Sequence, residues 1–257
     1  MGYNGVVGKS TRWLKEFFRR PIFDPGEPEA LAEAPEEARF AARALGLRKG
    51  ERVLDLCCGV GRHSFELAKL GARVTGLDAT PDYLAQARKR AGGKDNPAFV
   101  RGDMRRLRFF REFDAAINLW TSFGYFEDPA DDLRVLKGVA GALKPGGRFL
   151  IDLIDGDWIG ANAPPKNWTR RADGATVLEE VVLREGRDPA HVNTWTVLRP
   201  GRRPQSASFF VRNYNQERLC ALLGRAGLVC VRRWGDFPAG ARSSKPRRLI
   251  LLAKKPR

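Results

Sequence analysis

Val53-Leu54-Asp55-Leu56-Cys57-Cys58-Gly59-Val60-Gly61 is the stretch on which the reading of this chain turns. Val53 to Leu56 is a β-prone apolar run broken by a single acid. Gly59 and Gly61 open a tight turn, and residues 62–69 follow with a helical pattern. Strand, glycine turn and helix make the first unit of a nucleotide-binding α/β sheet. Glycines at such a turn accept torsions that a side chain resists, and they let a ligand approach the main chain. Asp55 closes the strand. A carboxylate there accepts hydrogen bonds from a cationic ligand and repels the phosphates of a dinucleotide.

Working outward, residues 73–78 form a second strand that ends in Asp78, about 17 residues past Gly61. A Rossmann-type site places a carboxylate for ribose hydroxyls close to this spacing. Residues 98–100 make a short third strand, followed by Gly102-Asp103-Met104. A fourth strand is expected over 113–119 and a fifth over 147–154, introduced by Lys144-Pro145-Gly146-Gly147. Asp55, Asp78 and Asp103 then lie at the carboxyl ends of neighbouring parallel strands, the edge where such sheets bind ligands. Three acids and no phosphate-binding lysine point to a nucleoside with a cationic centre.

With these residues the chain resembles the class I S-adenosylmethionine-dependent methyltransferases, over roughly residues 40–155 and 213–257. The stretch from Asp55 to Gly61 resembles the family's first motif, an acid followed by three alternating glycines, with Cys57 in place of the first glycine. Asp78 matches the ribose-binding acid, Gly102-Asp103-Met104 the adenine-contacting segment, and Leu143-Lys144-Pro145-Gly146-Gly147 the turn before the fifth strand. The resemblance implies S-adenosyl-L-methionine as cofactor and in-line methyl transfer without a metal. It implies Asp55 near the methionine ammonium, with backbone around Cys57, Gly59 and Gly61. Asp78 would serve the ribose and Asp103 and Met104 the adenine, with Ala79 and Leu119 also expected to bind the cofactor.

The segment after the fourth strand, Asn118-Leu119-Trp120-Thr121-Ser122-Phe123-Gly124-Tyr125-Phe126, is similar to that of small-molecule N-methyltransferases, especially those acting on amino sugars. The resemblance makes a small-molecule amine the expected methyl acceptor. An amine must be unprotonated to attack, so Tyr125, or a carboxylate such as Asp152 or Asp155, is a candidate to orient it or take its proton. Tyr125 is read equally as an aromatic that packs the loop. The acid-or-Asn, Pro-Pro, aromatic signature of exocyclic-amine nucleic-acid methylases is absent, as is a Pro-Cys pair for cytosine chemistry. Two alternatives stay open: an RNA or protein methyltransferase, and a cofactor-binding protein without transferase activity.

Composition sets the bounds. The chain has 257 residues, 43% of them apolar, enough for one large domain with an elaboration. The longest apolar runs are too short to span a bilayer, and no secretory signal is visible. A net charge of +16 attracts nucleic acid, yet the arginines are spread along the chain among acids. A nucleic-acid partner is therefore possible but second to a small molecule. Cys57-Cys58, Cys220 and Cys230 suit neither a disulfide framework nor a zinc site, and the last two read as small packing hydrophobes. The chain reads as cytoplasmic and metal-free, its oligomeric state open between monomer and homodimer. His63 reads as a surface or loop-packing residue rather than a base.

Residues 1–20 carry Trp13, Leu14, Phe17 and Phe18 at helical spacing, stopped by Pro21. This helix either packs on the sheet's edge or, as in similar methyltransferases, forms a lid. Residues 24–37 read as a solvated linker and 35–45 as a helix. Thr80-Pro81-Asp82 starts another helix and Asp128-Pro129 a third. Residues 155–212 break the αβ rhythm with three alternating stretches, 175–184, 191–198 and 206–212, expected as a three-stranded antiparallel insertion. A helix over 216–226 and strands over 229–234 and 247–253 complete the pattern. The expectation is an α/β, Rossmann-like seven-stranded methyltransferase sheet with an N-terminal helical cap and a small antiparallel β insertion. Residues 1–35 are cap and linker, 36–154 and 213–257 the main domain, and 155–212 the insertion over the substrate side.

Overall fold

The computed structural model of the protein describes residues 12–19, 22–237 and 247–257. In chain order it runs α1 Arg12–Phe17, α2 Pro28–Leu45, β1 Arg52–Leu56, α3 Arg62–Lys69, β2 Arg73–Asp78, α4 Pro81–Ala91 and β3 Ala98–Arg101. A 3-10 turn, Met104–Arg106, leads to β4 Phe113–Asn118, α5 Pro129–Ala142, β5 Leu143–Ile154 and α6 Gly156–Asn162. Then come β6 Lys166–Arg170, β7 Thr176–Arg184, β8 Ala190–Leu198, β9 Gln205–Arg212, α7 Gln216–Arg225, β10 Val229–Trp234 and β11 Arg248–Lys254.

Seven strands form one sheet in the order β10-β11-β5-β4-β1-β2-β3. β1 to β5 are mutually parallel, and β11 pairs antiparallel with both β5 and β10. The order reverses between β1 and β4. The loops leaving their carboxyl ends therefore diverge in opposite directions and open a crevice, the place where doubly wound sheets bind ligands.

Alternation along the strands fills two layers. Leu54 and Leu56 of β1 pack with α5 and α7 residues such as Leu136, Val139 and Leu223. Val53 packs on the opposite face with Ala38, Phe40 and Ala41 of α2 and Leu67 of α3. Asp55 shares the Val53 face. The second sheet, in the order β6-β7-β8-β9, is antiparallel throughout, and with Phe17 of α1 it forms a third cluster.

Four expectations are corrected. The linker expected over 24–37 is largely helix, because α2 starts at Pro28 and continues through Pro35. Buried Ala34, Glu37, Ala38 and Ala41 keep the helical spacing across that proline, and the packing they supply overrides its missing N–H. The insertion has four strands rather than three. β6 was invisible in sequence because all five of its residues are exposed and carry no apolar alternation. β5 begins at Leu143, so the expected turn at residues 144–147 lies inside the strand. Finally, Cys220 and Cys230 form a disulfide between α7 and β10, with Cα atoms 5.8 Å apart, instead of packing as free thiols. That separation is within disulfide range, and only the packing of α7 on β10 creates it. Of the expected N-terminal helix, residues 12–17 are helical and 18–19 form a bend; residues 1–11 and 20 lie outside the described residues, as does Pro21.

Candidate active site

The loop from Cys57 to Gly61 forms the floor of the crevice. Cys57 and Cys58 donate their backbone N–H groups to Leu77 O, which turns the chain sharply off β1. Cys57 takes φ +63°, the left-handed conformation that a glycine would occupy in the expected motif. At Gly61, φ is +78° and an added Cβ would stand 2.6 Å from the Phe99 ring, so both conformation and space demand glycine. Asp78, 8% exposed, ties β2 to this loop. It accepts the Gly59 N–H at 2.9 Å and the Thr80 N–H at 2.7 Å. Burial raises its carboxyl above the ordinary range despite these bonds. Cys57 Sγ lies 3.4 Å from Met104 Sδ, so the fold brings together Cys57, Gly59, Gly61, Asp78 and Met104.

The remaining predicted residues sit differently. Asp55 is 2% exposed, and on the α2–α3 face it accepts the Ser64 hydroxyl at 2.5 Å. Asp103 caps the 3-10 turn through the Arg105 N–H and receives that arginine's guanidinium. Burial pushes its carboxyl up, but the Arg105 bonds and charge outweigh this and hold it below its usual range. Ala79 is exposed between Asp78 and Thr80. The Leu119 side chain packs into the α2-side core. Both cysteine thiols of the loop are raised well above their ordinary range, chiefly by burial and then by the neighbouring carboxylates. They stay protonated and are not nucleophiles at neutral pH.

The second wall is the loop after β4. Trp120 and Thr121 both have positive φ, +59° and +52°. Asp152, fully buried on β5, braces them: it accepts the Trp120 N–H at 2.9 Å, and its backbone carbonyl accepts the Thr121 N–H. Its two oxygens also receive the Arg248 guanidinium at 2.5 Å each. Tyr125 instead enters an aromatic nest. Its ring stacks on Trp13 at 5.7 Å and lies 5.6 Å from Phe18 and 5.8 Å from Phe209. Burial raises the Tyr125 hydroxyl, so it remains an O–H rather than a phenolate. The fold thus separates Tyr125, beneath the second sheet, from Asp152, locked into the first.

Sequence reasoning missed two features. Glu37, 6% exposed on α2, accepts Arg62 Nη1 at 2.7 Å, lies 2.8 Å from His63 Nε2 and accepts Trp120 Nε1 at 2.6 Å. One carboxylate therefore joins α2, the glycine loop's helix and the loop after β4, and Arg62 also lies over the Trp120 ring. His63 is buried in this knot rather than on the surface. A buried glutamate on a helix read as part linker left no signal. The second is Asn118 at the end of β4, fully buried, whose Nδ2 donates to Leu56 O while Oδ1 has no partner among the described residues. An asparagine closing an apolar strand was the available hint.

A methyltransferase-domain family matches residues 53–147. A cypemycin N-terminal methyltransferase of a Streptomyces species is 39% identical over 41% of this chain and 43% of its own length. The dTDP-3-amino-3,4,6-trideoxy-alpha-D-glucopyranose N,N-dimethyltransferase of Streptomyces venezuelae is 29% identical over 68% of this chain and 70% of its own. The crystal structure of Streptomyces venezuelae DesVI superposes with a TM-score of 0.65 at 26% identity, covering 88% of this chain and 92% of that one. The chain spans about half the length of several curated relatives it matches, between 43% and 51%. Among the described residues no helix is long and apolar enough to cross a membrane, and no cluster of metal-ligand side chains is present.

Proposed function

We propose that this chain, which belongs to the class I S-adenosylmethionine-dependent methyltransferases, transfers a methyl group from that cofactor to the amine of a small molecule. The crevice residues fit the cofactor. The orphaned Asn118 Oδ1 offers a buried acceptor, Gly61 keeps a Cβ out of the loop, and Asp78 presents a carboxylate at the end of β2. Asp78 would hold the ribose hydroxyls, the backbone at Cys57, Gly59 and Gly61 the methionine portion, and Met104 the adenine side. When bound, the cofactor supplies a sulfonium-activated methyl carbon.

The chain's own contribution is alignment and exclusion of water. Trp13, Phe18 and Phe209 fix the Tyr125 ring, so its hydroxyl oxygen would accept an amine N–H and leave the nucleophile's lone pair free, instead of removing a proton. Asp152 braces the loop that carries Trp120, and with Arg248 on both oxygens it takes no proton from an acceptor. Asp55 orders α3 through Ser64.

The observation that carries the small-molecule reading is the enclosure of Tyr125. α1 and the inner face of the second sheet close around its ring. A cavity of about 290 Å³ opens beside this nest, lined by Phe23, Glu27, Arg171, Val177 and Trp195 among others. That is near the small end of the ~300–1,000 Å³ typical of small-ligand sites. The test is transfer of labelled methyl into size-fractionated cell extract. Label in the low-mass fraction, lost about 10²-fold or more in rate with Tyr125→Phe, is the expected result. Ribonuclease-sensitive label would assign the chain to RNA, and no label anywhere would remove transferase activity.

A further inference from the structure

The inner face of the second sheet carries polar groups in an otherwise aromatic wall. Register sets Glu179 of β7 opposite Trp195 of β8, and Val181 opposite Asn193, so Glu179, Trp195 and Asn193 share a face. The same face bears Val177 and Phe209, which cluster with Phe17 and Tyr125. Trp195 Nε1 and Asn193 Oδ1 are shut off from solvent and have no hydrogen-bond partner among the described residues. The Asn193 side chain, diagonal to Glu179 across the strand pair, eases the charge on that carboxylate, and its own oxygen is left without a partner.

Glu179 makes no direct ion pair with a described residue. Of the two arginines nearest in charge, Arg171 is committed to Glu27 and to Ile22 O, and Arg247 lies over the Trp158 ring. Burial raises the Glu179 carboxyl, a sign that its charge lacks full compensation. Closed-off polar atoms in a native fold ask for a partner, and these two stand on one face with the half-buried Glu179 carboxylate. The inventory is one charged acceptor, one neutral acceptor and one N–H donor. A cationic amine with a neighbouring hydroxyl answers all three. The adjoining cavity has Trp195 in its wall, and its lining sets Asp24, Glu27 and Glu29 against Arg170 and Arg171, so Glu179 is the acid that would select a cation there.

We propose that Glu179, Asn193 and Trp195 form the recognition site for the methyl acceptor, a hydroxylated amine that docks as its ammonium and passes one proton to the Glu179 carboxylate, freeing the nitrogen lone pair before methyl transfer. This rests on the methyltransferase reading given above. Calorimetry on the full chain, saturated with S-adenosylhomocysteine, tests it with glucosamine, serinol and ethanolamine as probes, and N-acetylglucosamine and glycerol as uncharged controls. At least one hydroxylated amine should bind about ten- to a hundredfold more tightly than its control. Glu179→Gln should erase that preference while S-adenosylhomocysteine affinity stays unchanged. Trp195→Phe, which keeps a ring and deletes the N–H, should weaken the same probe several-fold. No preference in the wild type, or a preference that survives Glu179→Gln, overturns the proposal. If Glu179→Gln does not fold, Glu179→Asp, which retracts the charge, is read in the same way. Failure of the wild type to bind S-adenosylhomocysteine overturns the methyltransferase reading instead, so the two failures are distinguishable.

Discussion

Asp78 holds two jobs on one carboxylate: it fastens the glycine loop through the Gly59 N–H and starts α4 through the Thr80 N–H. Asp78→Asn keeps the shape but loses the charge that both N–H groups and a ribose would use. Charge-assisted hydrogen bonds are worth roughly 1.5–3 kcal/mol, so S-adenosylhomocysteine affinity should fall about ten- to a hundredfold. Calorimetry on the folded variant measures this, and an unchanged affinity removes Asp78 from the site. Cys57 shows how a departure from a motif is tolerated. A small unbranched side chain accepts φ +63° at moderate cost and gains the contact with Met104. A β-branched residue at positive φ is a genuine outlier. Cys57→Val should therefore lose on the order of 2 kcal/mol in denaturant unfolding, and Cys57→Gly under about 1. Equal stability of the two would show that the backbone at this position is not under strain.

At the scale of elements, the loop bearing Tyr125 is held by the end of β9. Arg212 donates its backbone N–H to Gly124 O and its guanidinium to Phe126 O, Glu127 O and Asp132. Gly124, at φ +92°, has Arg212 O 3.0 Å from where a Cβ would stand, so the loop and strand meet without side-chain clearance. Asp132 is fully buried, and Tyr214 donates to it as well. Asp132→Ala strands a buried guanidinium, with Asp188 left as partial compensation. The expected cost is about 3 kcal/mol, together with faster hydrogen exchange at the Tyr125 amide. Unchanged exchange would detach the loop from this brace. His191 on β8 adds a pH term. Burial lowers its pKa against the hydrogen bond with Asn213, so the folded state binds fewer protons than the unfolded chain. Stability from this group is complete above the ordinary histidine pKa of about 6.5 and falls as pH drops through it. His191→Gln should flatten the decline of unfolding free energy between about pH 7 and 5, and an identical decline in the variant would assign it elsewhere.

Over the whole molecule, the net charge of +16 already counts every acid, so ion pairs leave that excess in place and show only which arginines are structural. Arg62, Arg105, Arg148, Arg212 and Arg248 all pair with acids inside the fold. They act as struts between elements rather than as a face for phosphates. The remaining basic residues are spread along the chain among acids, so binding to RNA should be weak, indifferent to sequence and steeply reduced by salt. Filter binding across a salt series checks this, and tight, sequence-dependent binding at physiological salt would replace the small-molecule acceptor with RNA.

What the sequence by itself determined is the part governed by short-range rules. Strand alternation, the glycines at 59 and 61, the capping Thr80-Pro81 and an acid at the end of each early strand are local signals, and they specified the parallel sheet and its ligand-binding edge. Cys57 was visible as a departure, though not its left-handed backbone. Tertiary structure decided everything that depends on which distant residues meet. It put Asp152 under Arg248 and Tyr125 under Trp13, giving two candidates of equal standing in sequence opposite surroundings. It joined Cys220 to Cys230, kept α2 helical across Pro35, and added β6, whose exposed residues have no pattern to read. It also turned Glu179, Asn193 and Trp195 onto one face, through the pairing register of β7 with β8. Long-range pairing and burial set the environment of each of these groups, and environment is what separates a brace, a packed ring and a recognition site built from the same side chains.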